Sequence, residues 1–138
     1  MKSYTLYLEK DGEEVQVDLR LDIDGMIYLK NKFKETTIET ISDAVVDIEK
    51  AVAIFDKSLN YEGNTNTIKK GKELYYLIVE NDKGGMEGFW DVISNIARCS
   101  GILSGKMADK LDVSMQNRFD GIGMYADDEP GNAQTPQN

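Results

Sequence analysis

Residues 36–59 read TTIETISDAVVDIEKAVAIFDKSL, and their apolar positions give the main signal for helix packing in this chain. Successive apolar residues are spaced alternately three and four apart, which places them on one stripe of a helix. Thr36 and Glu39 have the spacing of a capping box, and the turn residues over 60–64 follow the last apolar position. The sequence thus predicts one long helix over 36–59, with a stripe formed by Ile38, Ile41, Val45, Ile48, Val52, Phe55 and Leu59.

The apolar stripe must be covered by another surface, because exposed apolar area in water is unfavourable. A neighbouring helix of the same chain could cover it, which would make this the central helix of a small bundle. The same helix of a second copy could also cover it, which would make the protein a homo-oligomer. The sequence leaves both interpretations open. The candidate interface on this helix consists of Ile41, Val45, Ile48, Val52, Ile54, Phe55 and Leu59.

The N-terminal segment alternates between apolar and polar residues, which is typical of a half-buried strand. Residues 4–9 and 15–21 both follow this alternation, and Asp11-Gly12 lies between them. Asp-Gly readily adopts the positive φ angles of a tight turn. We expect a β-hairpin whose apolar face packs on helices, since an isolated hairpin is only marginally stable in water.

Two further segments carry clear helical signals. Asp22 or Asp24 can cap a short helix over 24–34. A glycine-containing loop over 82–85 is followed by an amphipathic pattern that ends near 100–101. The expected fold class is therefore α+β, with an N-terminal hairpin packed on a mostly α-helical bundle.

Residues 65–80 fit two structures. The apolar run from Leu74 to Val79 is compatible with a buried strand. The spacing of Ile68, Tyr75 and Ile78, with Thr65 or Asn66 as the cap, favours a helix, and a helix is the prediction adopted for this segment.

The composition changes after Leu103, where Gly, Ser, Asp, Asn and Gln replace most bulky apolar residues. Such a segment cannot bury enough apolar surface to form a core. We expect one hairpin-plus-helix domain over 1–103 and a polar, flexible tail over 104–138. Residues at steps of four predict a short helix over 107–119 with an apolar stripe for a partner. These residues are Met107, Leu111, Met115 and Phe119, and the first three join the candidate interface.

The chain of 138 residues has a formal net charge of −9 and a pI near 4.5. Nucleic-acid binding relies on clustered Lys and Arg, so this acidity argues against a nucleic-acid partner. No apolar run is long enough to cross a bilayer, and no signal-peptide pattern follows Met1. Cys99 is the single cysteine, so no disulfide framework is possible within the chain. We expect a cytoplasmic protein without a membrane partner.

The sequence contains no histidine, which removes the usual general base and the commonest zinc ligand. Residues 22–25 look like the start of a calcium loop but are not followed by the remaining oxygen ligands. Residues 84–88 are rich in glycine but lack the Lys-Ser/Thr of a phosphate-binding loop. We therefore expect that the protein is not an enzyme and has no catalytic, cofactor-binding or metal-binding residues.

The order of these elements resembles that of the tail assembly chaperones of long-tailed bacteriophages and related prophages. The resemblance covers residues 3–102: a hairpin, a helix entered through DIDGMIYL at 22–29, a helical region up to Leu59, and an amphipathic FWDVIS helix at 89–94 before a polar tail. It rests on arrangement, because this family has no diagnostic catalytic or ligand motif. The resemblance implies a non-enzymatic protein of the host cytoplasm that forms oligomers, coats the tape measure protein and leaves when tail tube protein polymerises.

A different class of protein fits the same composition. A small acidic regulatory adaptor or inhibitor that binds one folded partner would also use an acidic surface and a hairpin edge. A soluble oligomer with an apolar client groove favours the chaperone. A monomer that binds one folded protein stoichiometrically favours the adaptor.

Overall fold

The computed structural model describes residues 2–83, 85–100, 109–110, 113, 116–117 and 120, and at 82, 83 and 85–87 it describes the backbone alone. This part of the chain forms a small α+β domain in which an antiparallel hairpin packs on five helices, as the sequence predicts. A π-helical turn, Val79–Lys83, joins the last two helices. The elements in order are β1 (Tyr4–Lys10), β2 (Glu13–Leu19), α1 (Ile23–Phe33), α2 (Thr37–Asp43), α3 (Ile48–Leu59), α4 (Gly71–Ile78) and α5 (Gly85–Cys99).

The hairpin follows its sequence pattern closely. Asp11 and Gly12 both have positive φ, at 53° and 82°, and they connect strands that pair from Lys10 with Glu13 to Tyr4 with Leu19. One face of the hairpin is buried against the helices and the other faces solvent, as the alternation predicts. The buried face carries Leu6, Leu8, Val17 and Leu19.

Helix α1 begins where the sequence places a cap. The Asp22 carboxylate accepts a hydrogen bond from the backbone N–H of Gly25 at 2.9 Å, which satisfies one of the free amides of the first turn. The helix ends at Phe33, and the residue that follows, Lys34, has a left-handed φ of 58°. Leu29 is fully buried, while Ile23 and Ile27 on the same helix are exposed.

The prediction of one helix over 36–59 is wrong, because the chain forms two helices there. The capping box is confirmed: the N–H of Glu39 donates to the Thr36 hydroxyl at 3.1 Å, and the N–H of Thr36 donates to the Glu39 carboxylate at 3.2 Å. Helix α2 nevertheless ends at Asp43, and a turn separates it from α3. The Asp47 carboxylate accepts from the N–H groups of Glu49 and Lys50 at 3.0 and 3.2 Å, so a second N-cap starts a new helix.

The helix predicted within 65–80 is confirmed, but it begins later than predicted. Helix α4 starts at Gly71, and neither Thr65 nor Asn66 caps it. The Asn66 side chain instead bonds to Asp18 of β2 and to the Leu59 carbonyl oxygen, so Asn66 lies at the edge of the hairpin. An Asn has three such partners only when tertiary structure brings them together, which its position in the sequence does not reveal.

The loop predicted over 82–85 is wrong where the structure describes the backbone. Residues 79–83 continue helically from α4 as a π-helical turn, and α5 begins at Gly85. The amphipathic α5 is confirmed and ends one residue before Ser100. The Ser100 hydroxyl accepts from the N–H of Leu21 at 3.0 Å and donates to the Ile96 carbonyl oxygen at 2.6 Å, which ties the end of α5 to the segment between β2 and α1.

One core lies between the hairpin and the helices. Helix α5 contributes Phe89, whose ring stacks on Tyr75 of α4 at 4.5 Å between centroids and lies 6.2 Å from Phe55 of α3. These aromatic contacts join three helices. The fully buried bulky side chains that complete the core are Leu8, Leu19, Leu21, Leu29, Ile54, Leu59, Ile68, Leu74, Ile78, Ile93 and Ile96.

The predicted tail helix over 107–119 is described at a few positions only. Residues 109–110, 113, 116–117 and 120 have helical backbone. Met107, Leu111, Met115 and Phe119 lie outside the described residues. The domain boundary at 103 stays a prediction.

Candidate functional site: an apolar groove on three helices

An apolar groove of about 490 Å³ lies on the outer face of the helical layer. Helix α3 forms its floor, while α1 forms one wall and α4 the other. The floor extends from Ile48 to Asp56, which is about 12 Å along the helix axis. The lining residues are Tyr28 and Lys32 of α1, Ile48, Glu49, Val52, Ala53 and Asp56 of α3, and Lys72, Tyr75 and Tyr76 of α4.

The break between α2 and α3 creates one end of the groove. In a continuous helix Ile48 would lie on the buried stripe between Val45 and Val52. Because Asp47 starts a new helix, the stripe is interrupted, and the Ile48 side chain is 60% exposed while Val45 stays buried. The interruption therefore moves one apolar residue of the predicted stripe to the surface.

A close approach of α4 to α3 fixes the second wall. A Cβ at Gly71 would lie 2.3 Å from the carbonyl oxygen of Val52 and 2.8 Å from the backbone nitrogen of Asp56, so only glycine allows this approach. The Gly71 N–H donates to the Asp56 carboxylate at 3.2 Å. Asp56 thus caps the start of α4 from the neighbouring helix, since Lys70 at the N-cap position makes no side-chain cap.

A second cavity of about 260 Å³ lies beside the groove, at the α2–α3 turn. Ile48 and Tyr75 line both cavities, so the two spaces lie next to each other at these side chains. Val46 and Val79 are exposed at this end. The second cavity is lined by Ala44, Val45, Val46, Ile48, Ala51, Tyr75, Val79 and Phe89.

The walls of the groove carry tyrosines beside lysines. Tyr76 is 65% exposed, and the ring of Tyr28 has the Lys57 ammonium 3.9 Å from its centre. This distance is that of a cation–π contact. Lys32 and Lys72 lie on opposite walls, and within the described part of the chain neither makes an ion pair.

The structure separates the predicted interface residues of the long helix into two groups. Ile54, Phe55 and Leu59 have no exposed surface, and Ile41 and Val45 are nearly as buried, so these five belong to the core. Only Ile48 and Val52 reach the floor of the groove. A partner could contact Ile54, Phe55 or Leu59 only if the domain opened. The other candidates, Met107, Leu111 and Met115, lie outside the described residues.

Sequence reasoning missed the groove walls. Tyr28, Tyr75 and Tyr76 were not assigned to any site, and neither were Lys32 and Lys72. The signal available in the sequence was weak: Tyr28 and Lys32 are four apart on one helix, as are Lys72 and Tyr76, so each pair shares a helix face. Nothing in that spacing indicates that the two faces meet across α3.

No group of three or more metal-ligating side chains occurs among the described residues. The same residues include no helix that combines the length and the apolar character needed to span a bilayer. No family model, curated protein or solved structure matches this chain.

Proposed function

We propose that this chain is a tail assembly chaperone, which binds a helical segment of a phage tape measure protein and keeps it in solution while the tail is assembled. The observation that carries the proposal is the groove between α1 and α4, which displays Ile48 and two tyrosines on an otherwise highly charged protein. Exposed apolar grooves with a charged rim are typical of sites that bind another protein.

The shape of the groove suits an amphipathic helix. Such ligands place residues at i, i+3, i+4 and i+7 into an apolar groove formed by other helices. A floor of about 12 Å accommodates two turns of a ligand helix. Tyr28 and Tyr76 supply broad contact surfaces with few rotatable bonds, which suits a client whose apolar residues vary along its length.

The acidity of the chain supports the same proposal. A net charge of −9 keeps a complex with an apolar client soluble. A tape measure protein is long, so we propose that several copies bind along it and that tail tube protein displaces them. We place the activity in the host cytoplasm, and it requires no catalysis or cofactor.

Co-expression with the tape measure protein of the same phage or prophage genome tests the proposal. The chaperone should raise the soluble fraction of the tape measure protein and co-purify with it. Ile48→Asp should abolish both effects, because it places a charge on the apolar floor. If the wild-type chain neither solubilises nor co-purifies with the tape measure protein, the proposal fails.

Ile23→Asp provides a closely matched control. Ile23 and Ile48 are each the first residue of a helix that is capped by the preceding aspartate, and their side chains are 67% and 60% exposed. Only Ile48 lines the groove. Ile23→Asp should therefore retain client binding, and thermal unfolding should show that both variants remain folded. Stoichiometric binding of one folded protein, without any effect on the tape measure protein, would instead favour a regulatory adaptor.

A further inference from the structure

We infer that the groove selects an amphipathic helix with acidic residues on both sides of its apolar stripe. The identity of the client rests on the proposed function, while the charge preference rests on the groove itself. The acidity of the whole chain would suggest the opposite preference, namely a basic client. The charges that line the groove decide between the two.

The positive charges lie on the walls. Lys32 is in the last turn of α1, and Lys72 is in the first turn of α4, on the other side of the floor. Lys57 of α3 is not among the lining residues, but its ammonium group lies over the ring of Tyr28 on the α1 wall. Within the described residues none of the three makes an ion pair. Each of these lysines can therefore pair with a carboxylate of a ligand without breaking an existing ion pair.

Among the described residues that line the groove, Glu49 and Asp56 are acidic, and both lie on the floor near the positive end of a helix dipole. The Asp56 carboxylate accepts the Gly71 N–H at the start of α4, where the helix dipole is positive. Glu49 is in the first turn of α3, where the dipole of its own helix has the same effect. Among the lining residues, the charged side chains on the two walls are both lysines, whereas the two acidic ones lie on the floor.

A helix seated on this floor matches that distribution. Its apolar stripe would contact Val52 and Ala53, and the positions that flank the stripe on each side would face the walls. Glutamate at those flanking positions can reach Lys32 on one side and Lys72 on the other. The long lysine stems can also lie along the apolar stripe, which adds contact area.

Two designed helical peptides provide the test. Both carry the same apolar stripe of Leu and Ile over three turns and an internal crosslink, because short peptides are otherwise only partly helical. One has glutamate and the other lysine at the flanking positions. The full chain should bind the glutamate peptide more tightly in fluorescence anisotropy, and added salt should reduce the difference. Equal affinities, or tighter binding of the lysine peptide, would overturn the inference.

Charge-reversal variants assign the preference to the walls. Lys32→Glu and Lys72→Glu should each weaken binding of the glutamate peptide by about three- to tenfold and strengthen binding of the lysine peptide. Lys30→Glu is the control for Lys32→Glu, since both lysines are in the last turn of α1 but only Lys32 lines the groove. Loss of the preference in Lys30→Glu to the same extent would show that only the overall charge matters and would contradict the inference.

The outcomes separate this inference from the proposed function. If the tape measure protein co-purifies but the two peptides bind equally, the chaperone proposal stands and the charge preference falls. If the glutamate peptide binds in the groove but the tape measure protein does not co-purify, the charge preference stands and the client must be another protein.

Discussion

The side-chain amide of Asn66 pairs with both backbone groups of Asp18, as a neighbouring strand would. It accepts from the Asp18 N–H at 2.8 Å and donates to the Asp18 carbonyl oxygen at 2.8 Å. On the other edge of the hairpin, Asn81 makes the same two bonds to Glu9, at 2.7 and 3.0 Å. On each strand of the hairpin, the N–H and C=O groups of one residue on the outer edge are therefore hydrogen-bonded to an asparagine side chain. Occupied edges are less available to another strand.

Asn66→Ala should destabilise the domain by about 2 to 3 kcal/mol. The change leaves the Asp18 pair and the buried carbonyl oxygen of Leu59 without their partner, and Asn66 itself is buried. Urea unfolding followed by circular dichroism measures the loss. Asn31→Ala, at an exposed position of α1, should change the free energy of unfolding by less than about 0.5 kcal/mol. Equal effects of the two changes would contradict this account of Asn66.

Asn81→Ala should act locally at the edge of β1. The bonds from Asn81 to Glu9 are exposed, so the loss of stability should be close to about 1 kcal/mol. The Glu9 amide should exchange its hydrogen about fivefold faster or more, because it loses its acceptor. The Asp18 amide on the other edge serves as the internal reference, and equal acceleration of both amides would indicate global unfolding instead.

Much of the fold could be predicted because the signals are local. Asp11-Gly12 determines the hairpin turn, Asp22 caps α1, and Thr36 with Glu39 caps α2, all through contacts over three or fewer residues. Asp47 is an equally local cap, but it lies within an uninterrupted apolar periodicity. The periodicity suggested one helix, whereas the carboxylate of Asp47 competes for the backbone amides and starts another.

The candidate site was harder to predict because it depends on how helices are placed. Ile48 has the spacing of a core residue and is exposed only because the helix breaks before it. Tyr76 and Lys72 belong to α4, whose position against α3 follows from the lack of a side chain at Gly71. Those contacts join residues far apart in the chain, and no sequence periodicity encodes them.

Gly71→Ala should lower stability by about 2 kcal/mol or more, because its Cβ would collide with the backbone of α3. Gly12→Ala should cost about 1 kcal/mol for a different reason: nothing lies within 4 Å of its Cβ, but its φ of 82° disfavours alanine. Asparagine tolerates positive φ, so Gly12→Asn should be milder than Gly12→Ala, whereas Gly71→Asn should be no better than Gly71→Ala. Thermal unfolding of the four variants distinguishes steric from conformational effects.

Lys50 of α3 connects its helix to α2 and to the segment between α1 and α2. Its ammonium group lies 2.7 Å from a carboxylate oxygen of Glu35 and 2.7 Å from one of Asp43, and its side chain is only 13% exposed. The Thr40 hydroxyl donates to the same oxygen of Glu35 at 2.9 Å. The network connects α2 to α3 across the turn between them, so it stabilises the interruption of the helix.

Lys50→Met should therefore reduce stability at neutral pH by about 1 to 3 kcal/mol, because two carboxylates lose their partner.

Burial alone would lower the pKa of Lys50, but the hydrogen bonds to Asp43 and Glu35 outweigh it and raise the pKa above the ordinary value of 10.5. A raised lysine pKa stabilises the fold below the unfolded-state value, and this contribution disappears as the pH rises through the folded-state value. The difference in unfolding free energy between wild type and Lys50→Met should thus be constant up to about pH 10 and shrink above it. Urea titrations over this pH range measure the difference in unfolding free energy. Lys30 is exposed, so Lys30→Met should differ very little from wild type at any pH.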